Sequence, residues 1–425
     1  MNAATGARDF DVLIVGAGVI GTVMASLLVA RRLCAPGRVA IIADRFPPGA
    51  STGVGADAGA VGMAAITDWD LRVFALSRAS ERLLRICGVW DSLPANRVLA
   101  YERMCVWDAS GVPQGPGSIV FDCAQLGEAN LGFIVEGRAL QIQCLRASRS
   151  HGTVLIEAGV GSIATQEDAV SVRLTDGREM RGKLLIAADG TESRTREILG
   201  IETAGHAYHQ DALVAHVRTA ALHRNTAWQR FLAGGPLAFL PLPDGRSSIV
   251  WSNAHFEAAR LAALDGREFG AALTAASGGV LGACELTTAV ASFPLKLQYA
   301  VEYVRPRAVL LGDAAHAVHP LAGQGLNLGL LDCAALADVL GSAGGDCFGE
   351  HKLLRRYERW RRSENLLAAA ALDGLERLFA NADPRSTGVR SAALSVVDKL
   401  PFVKRRFAQR ALGLSGDIPA FLKGG

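Results

Sequence analysis

The sequence predicts an α/β chain: a parallel sheet flanked by helices, an inserted and mainly antiparallel β-sheet unit, and a helical C-terminal end. Three observations predict it. A short apolar strand, Asp11 to Val15, runs through a glycine turn into a helix from Val19 to about Arg31, the opening of a βαβ unit. Two stretches, Arg97 to Phe121 and Ala212 to Ser252, alternate apolar and polar residues, with turn signals such as Asp244-Gly245. Beyond Gly349 the pattern is helical, first a long charged helix to about Ala380 and then a shorter amphipathic stretch from Thr387 to Gly413.

The remaining elements follow in order. Val39 to Ala43 is a second parallel strand ending at Asp44. The Gly-, Pro- and Ala-rich segment from Phe46 to about Ile66 lacks periodic hydrophobics and reads as a mobile loop near a site. Leu71 to Leu93 has helical spacing, with Phe74, Leu83, Leu84 and Ile86 on the apolar side and Gly88 breaking it. Strand-like runs at Thr153 to Ile156, Val170 to Leu174 and Lys183 to Ala188 return the chain to the first sheet. Ala308 to Leu311 is a further strand ending in Gly312-Asp313, and a helix follows from about Gly325 to Leu340. The expected division is one discontinuous unit over 1–96, 131–205 and 300–380, an inserted β-sheet unit over 97–130 and 206–299, and a C-terminal helical segment over 381–425.

Composition narrows the function. The 425 residues, 50% hydrophobic and 20% charged, supply a large core, and at roughly 150 residues per domain they make about two or three units. The 44 basic and 41 acidic residues leave a net charge of +3, too near balance for a protein that binds nucleic acid in bulk. The eight cysteines form no CxxC pair, so neither a metal site nor a disulfide framework is indicated, and the usage fits a reducing, cytoplasmic compartment. The uncharged stretch Val12 to Ala30 approaches membrane-spanning length, but Gly16, Gly18 and Gly21 lie inside it and favour a strand-turn-helix.

Gly16-Ala17-Gly18-Val19-Ile20-Gly21, with Asp44 about 20 residues on, is a dinucleotide-binding pattern. The first glycine allows the turn, the second lets a pyrophosphate approach the backbone, and the third lets helix and strand pack closely. The helix N-terminus offers free N–H groups to the phosphates, and Asp44 can accept from ribose hydroxyls. Arg45, beside it, is grouped with the cofactor-binding residues. Two later constellations add to this. Ala188-Asp189-Gly190 follows an apolar strand, though an ordinary Asp-Gly turn looks the same. Gly312-Asp313-Ala314-Ala315-His316 leads to His319-Pro320-Leu321-Ala322-Gly323-Gln324-Gly325-Leu326-Asn327, a dense run of special-backbone residues opening a helix.

On these residues the chain resembles the single-component FAD-dependent aromatic monooxygenases of the p-hydroxybenzoate hydroxylase type, and within them the ubiquinone-biosynthesis hydroxylase family. The shared features run along almost the whole chain: GAGVIG at 16–21, Asp70-Leu71-Arg72, LGFIVEGRALQ at 131–141, ADG at 188–190, GPLAFLPL at 235–242, GDAAHAVHPLAGQGLNLGLLD at 312–332, and ALGLSGDIP near the end. Three positions depart from the pattern: Gly137, Gln229 and Asp44 stand where Asn, an acidic residue and Glu are usual.

The resemblance implies a Rossmann-like FAD-binding domain with an inserted β-sheet substrate domain. It places Arg72 at the FAD pyrophosphate, Arg138 near the adenosine side and Asp313 on a ribityl hydroxyl. Backbone N–H groups of Gly325, Leu326 and Asn327 would face the pyrimidine edge of the flavin, and Pro320 to Gln324 its reactive side. The implied reaction inserts one atom of O2 into an electron-rich aromatic ring through a flavin C4a-hydroperoxide, with NADH, NADPH or another donor visiting transiently. His316 and His319 are candidates for proton acceptors, and structural hydrogen bonding is the alternative reading of each.

The implied substrate is a polyprenylphenol-type ubiquinone precursor met at the inner face of a membrane. The alternatives are another aromatic or quinolone-like metabolite, or a non-catalytic flavin-binding part of a ubiquinone-biosynthesis complex. The segment 390–410 carries Arg390, Lys399, Lys404, Arg405, Arg406 and Arg410 against Asp398, interleaved with apolar residues. It reads either as a peripheral contact with anionic lipid or as a solvated helix face.

Overall fold

The structure is a computed structural model that describes residues 8–47, 69–318, 324–343, 347–380, 398, 400–413 and 416–423. β1 (Arg8–Val15) turns at Gly16 into α1 (Val19–Ala30), and β2 (Val39–Ala43) follows. Val12, Leu13 and Ile14 are fully buried, as a strand covered on both faces must be. The apolar run Val12–Ala30 is therefore strand, turn and helix. Among the described residues no helix is long and apolar enough to cross a membrane.

Next come β3 (Val73–Leu76), α2 (Arg78–Ile86), β4 (Val98–Tyr101), β5 (Arg103–Asp108), β6 (Ser118–Asp122), α3 (Cys123–Leu126), β7 (Gly132–Glu136) and α4 (Gly137–Ser150). The single helix expected from Leu71 to Leu93 is corrected here: Phe74 lies in a strand, and the helix runs only from Arg78 to Ile86. β-branched and aromatic residues hold 73–74 extended. Ser77 then caps the helix by accepting the Ser80 N–H at 3.2 Å, and Gly88, at φ +70°, ends it. Ile86, placed on the apolar side by the spacing, is exposed. The loop expected from Phe46 to Ile66 lies outside the described residues from 48 onward.

The chain continues through β8 (Val154–Glu157), β9 (Val160–Thr165), β10 (Val170–Leu174), β11 (Glu179–Ala187), α5 (Arg194–Ile198), β12 (Thr203–Thr219), β13 (Thr226–Leu232), β14 (Gly235–Pro241) and β15 (Ser247–Ala254). Two helices unforeseen within the β-rich stretch follow, α6 (His255–Ala262) and α7 (Gly266–Ser277). Asp265 and Glu268 form a capping box at the start of α7, a spacing that stands in the sequence. The last elements are β16 (Cys284–Leu286), β17 (Ala291–Ala300), β18 (Val304–Arg305), β19 (Ala308–Leu310), β20 (His316–Ala317), α8 (Gln324–Gly341), α9 (His351–Ala380) and α10 (Pro401–Ala411).

Three sheets result. The first has the order β18-β19-β11-β1-β2-β8, with β10 and β9 folded back as an antiparallel ribbon on β11. β1 is parallel to β11 and β2, β11 to β19, and β2 to β8. One face packs on α1, α4 and α8 through Val23, Leu27, Leu140, Cys144 and Leu330. The opposite face, through Leu13, Ile42 and Leu185, packs on the ribbon.

The second sheet has the order β20-β17-β12-β15-β14-β13-β5-β6, with β16 on β12. It is antiparallel except for the β13–β5 pair. Leu213, Trp228, Phe239, Ile249 and Trp251 point to α6 and α7 and form its core with Leu261, Phe269 and Leu273. A third, three-stranded sheet joins β3, β7 and β4. The expected inserted unit begins at 97, whereas Val98–Tyr101 pairs with β7 and the large sheet begins at Arg103. Within the large sheet, β20 pairs with β17 at Gln298↔Ala317 and Tyr299↔His316. The Gly312–Ala317 loop thus begins against the first sheet and ends as an edge strand of the second.

Candidate functional site

Four loops leave the carboxyl ends of parallel strands on one edge of the first sheet: Gly16–Gly18, Asp44–Arg45, Ala188–Gly190 and Gly312–Ala314. Open parallel sheets bind ligands outside this edge. Gly16 sits at φ +112°, and a Cβ there would overlap the Ala188 carbonyl; at Gly21 a Cβ would overlap the Gly16 carbonyl. Protein packing alone demands both glycines. Gly18 is different, because its φ is an ordinary −72° and a Cβ would meet nothing within 4 Å. α1 starts there with no side-chain cap and no acid in its first turn. Its first N–H groups and the positive end of its dipole are left for an anion. Asp44 and Arg45 are exposed beyond β2.

The Ala188-Asp189-Gly190 turn is largely structural. Asp189 accepts from the Ser193 hydroxyl and from the Thr195 N–H at 3.0 Å, and Gly190 takes φ +86°. Arg196, buried, donates to the carbonyls of Thr191 and Ala314, both at 3.0 Å. The Asp189 carboxylate is thereby committed to the start of α5, and the turn is tied to the Gly312 loop.

That loop is held by Asp332, a fully buried carboxylate on α8. One of its oxygens accepts from the Gly312 N–H at 3.2 Å and from His316 Nε2 at 2.6 Å. The other accepts from Arg361 Nε at 2.7 Å and Asn365 Nδ2 at 3.1 Å, both on α9. Burial pushes the Asp332 carboxyl up, but the charges and hydrogen bonds of His316 and Arg361 outweigh it and hold it at about 2. A carboxylate only accepts, so Nε2 of His316 carries its proton. His316 is 3% exposed and stacks on Tyr303 at 6.1 Å. This is the geometry of a positioning residue. Sequence reading missed Asp332, Arg361 and Asn365, although a lone Asp in the apolar LNLGLLDCAALA run was a usable signal.

Asp313, on the same loop, is exposed. The surrounding protein nevertheless raises its carboxyl above the ordinary range, with His316 and Arg72 opposing the rise and Asp332 adding to it. Arg72 is exposed and lies 5.7 Å over the Phe293 ring of β17. Its backbone is fixed from below: the Gly137 N–H donates to the Arg72 carbonyl at 2.8 Å, and buried Glu136 accepts from the Asp70 N–H at 2.7 Å. A Cβ at Gly137 would crowd the Arg72 carbonyl, which accounts for glycine at this position. Arg138 is exposed in the first turn of α4, where no acid accompanies it. A cation at the positive end of a helix is favourable only with an anion nearby.

α8 begins at Gln324 with no acid in its first turn, and the N–H groups of that first turn, at 324–326, have no carbonyl one turn back within the helix. Asn327 fixes this start. Its side-chain oxygen accepts from the Ser77 N–H at 2.9 Å and the Ser80 hydroxyl at 2.7 Å, and its amide donates to the Ala75 carbonyl at 2.8 Å. Gln324, Gly325 and Leu326 are half-buried beside it. His319, Pro320 and Gly323 lie outside the described residues.

A model of the FAD binding domain family matches residues 143–370. The chain is 34% identical to ubiquinone hydroxylase UbiL of Rhodospirillum rubrum, over 99% of this chain and 94% of that protein. It is 34% identical to 3-demethoxyubiquinol 3-hydroxylase of Escherichia coli, over 81% of this chain and 88% of that protein. In fold it is similar to p-nitrophenol 4-monooxygenase PnpA from Pseudomonas putida, with a TM-score of 0.71 and 18% identity over 96% of this chain and 99% of that one. The residues present fit an FAD: an uncapped helix start with open space over Gly18, an exposed acid after β2, an exposed acid after β19, and a second helix start without an acid.

Two outcomes follow. Gly18→Ala should weaken FAD binding at least tenfold in a flavin fluorescence titration while changing apoprotein stability by less than about 1 kcal/mol, whereas Gly21→Ala should lower the apoprotein's melting temperature itself. Because Asp332 is held below its unfolded value of about 4, its contribution to stability is present above that pH and lost as pH falls through about 2. Urea midpoints should therefore fall more steeply between pH 5 and about 2.5 in the wild type than in Asp332→Asn.

Proposed function

Since the chain belongs to the family of FAD-binding monooxygenases that includes the ubiquinone-biosynthesis hydroxylases, we propose that it hydroxylates the aromatic ring of a polyprenylphenol-type quinone precursor. The observation that carries this reading is the match, over 99% and 81% of this chain, to two hydroxylases whose names specify ubiquinone or a demethoxyubiquinol. The chain is an FAD-dependent monooxygenase, and the finer assignment of substrate rests on those relatives.

The bound FAD supplies a reducible ring that takes electrons from a nicotinamide or other donor and activates O2. The protein's part is binding, orientation and exclusion of water. Gly18 and the start of α1 receive the pyrophosphate, with Arg72 and Arg138 adding positive charge. Asp44 accepts from the ribose and Asp313 from a ribityl hydroxyl. Backbone N–H groups at the start of α8, at Gly325, Leu326 and Asn327, would face the pyrimidine edge and stabilise negative charge there. Asp332 and His316 hold Asp313 in place without touching the reacting atoms. The large sheet, joined to the same loop through β20, walls the substrate off from water on the side where oxygen is transferred.

A polyprenyl substrate resides in a bilayer, and α10 supports a contact with it. Phe402 is 78% exposed and Leu400 47%, flanked by exposed Arg405, Arg406 and Arg410. An exposed aromatic among cations suits an anionic lipid surface. Residues 390–397 of this candidate segment lie outside the described residues.

Mass spectrometry of quinone intermediates after deletion and restoration of the gene tests the substrate. One under-hydroxylated polyprenylphenol should accumulate on deletion and clear on restoration; an unchanged quinone pool would refute the assignment. In sedimentation with vesicles of anionic lipid, Phe402→Ser combined with Arg405→Glu should release most of the bound protein, and added salt should weaken the wild type's binding.

A further inference from the structure

The short segment 69–72 leads into β3 and carries Arg72, and one of its two seats on the large sheet is a buried histidine. Leu213, Ala215 and Val217 of β12 enter the core on α6 and α7, so strand alternation sends His216 to the opposite face. There its ring meets the Trp69 indole edge-on at 6.2 Å, with 79° between the planes. Farther back along β12, Ala212 pairs with Phe293, over which Arg72 lies at 5.7 Å. The segment thus rests on the sheet through Trp69 at His216 and through Arg72 at Phe293.

The segment is also tied from the other side. Arg97 lies over the Trp69 ring at 5.0 Å and pairs with buried Glu136 at 3.5 Å. Glu136 accepts from the Asp70 N–H, and Asp70 accepts from the Arg72 N–H at 3.2 Å. The backbone of His216 is fixed as well: its N–H donates to Thr288 Oγ1 at 2.9 Å, and its carbonyl accepts from the Thr287 N–H at 2.9 Å and the Thr287 hydroxyl at 2.8 Å. Its ring has no such ties. His216 is fully buried, and among the described residues neither ring nitrogen has a hydrogen-bond partner. The hydroxyl of Ser248, opposite it on β15, has none either.

Such a site tolerates an imidazole in its neutral form, because protonation adds a charge and a second N–H that nothing receives. Burial pulls the His216 pKa below the ordinary histidine value and Arg246 adds to the fall, while the Leu71 backbone, Asp244 and Asp70 oppose it. The Leu71 backbone approaches the ring without reaching bonding geometry.

We infer that His216 is a positioning residue for the cofactor: as a neutral imidazole it seats Trp69 on the sheet and so sets Arg72 at the FAD pyrophosphate, and its protonation unseats the segment. Proton uptake puts a new positive charge beside Arg246, and across the indole from Arg97, in a buried site. FAD affinity is thereby coupled to the charge of a residue that acts only through Trp69 and Arg72. The seat is complete above the ordinary histidine value of about 6.5 and is lost as pH falls through the lowered one. The inference rests on the assignment of Arg72 to the cofactor made above.

The test dilutes purified holoenzyme and reads the FAD dissociation constant from flavin fluorescence at two pH values, about 7.5 and about 5, on either side of the ordinary histidine value. The readout is the ratio of the two constants, which a merely structural role does not move. In the wild type FAD should bind about three- to tenfold more weakly at the lower pH. His216→Phe keeps a ring against Trp69 and His216→Gln keeps a polar group, neither of them titrating, and both should cut the ratio to half or less. Trp69→Ala should weaken FAD binding at the higher pH and lose the same part of the ratio. A wild-type ratio of one, or a ratio unchanged in His216→Phe and His216→Gln, overturns the inference while the role of Arg72 stands. If both variants fail to hold FAD at either pH, His216 serves the fold alone and the inference is overturned. If Arg72→Ala holds FAD as tightly as the wild type, the assignment of Arg72 falls and the inference with it.

Discussion

The Asp332 carboxylate is the interaction on which the rest of the site depends. A fully buried charge survives only when paired and hydrogen-bonded, and this one gathers its partners from two separate parts of the chain: Gly312 and His316 from the loop after β19, and Arg361 and Asn365 from α9. None of those groups has to touch a ligand. By fixing them together, Asp332 ties the loop that carries Asp313 to both α8 and α9. Removing any one partner leaves charge in a dry interior, which is more costly than the modest gain from forming the pair.

A second constraint couples the two larger sheets. β20 is two residues long, yet it carries the Gly312 loop from the carboxyl edge of the parallel sheet to the edge of the antiparallel one. Arg72 on Phe293 and Trp69 on His216 cross the same boundary. The loop that carries Asp313 and an edge of the large sheet are therefore joined by one short stretch of backbone. That matters for oxygen transfer, where small displacements of the reacting groups carry large penalties in rate.

What could be read from the residues alone follows a physical rule. Gly16 and Gly21 were legible because their requirement is local: two backbone segments approach within a few residues of each other. Gly312-Asp313 was legible because a strand end, a left-handed glycine and an acid stand in consecutive positions. Asp332 was not, since its partners on α9 are remote in sequence and a lone acid in an apolar helix does not name them. Asp189 was open in the sequence, because an acid after a strand looks the same whether it serves a ligand or caps the next helix through Ser193 and Thr195, as it does here. At Leu71–Leu93, helical spacing of apolar residues hid a strand that pairs with β7, a partner far along the chain. Local periodicity reports burial and leaves the partner unnamed.

The strand order of the parallel sheet bears on how the chain is made. β1 has β11 as one neighbour, and β11 in turn pairs with β19 on its far side. Strands β12 to β17 of the antiparallel sheet are translated between β11 and β19. As the chain emerges from the ribosome, the fully apolar edge of β11 stays without its last partner until nearly three quarters of the sequence is out, and the Asp332 carboxylate waits longer still for Arg361. Non-local pairing of this kind slows folding and leaves strand edges open to wrong partners. The acid network is thus completed late, by α9, so a ribosome that stalls before α9 releases a chain with its glycine turn formed and Asp332 without Arg361 and Asn365.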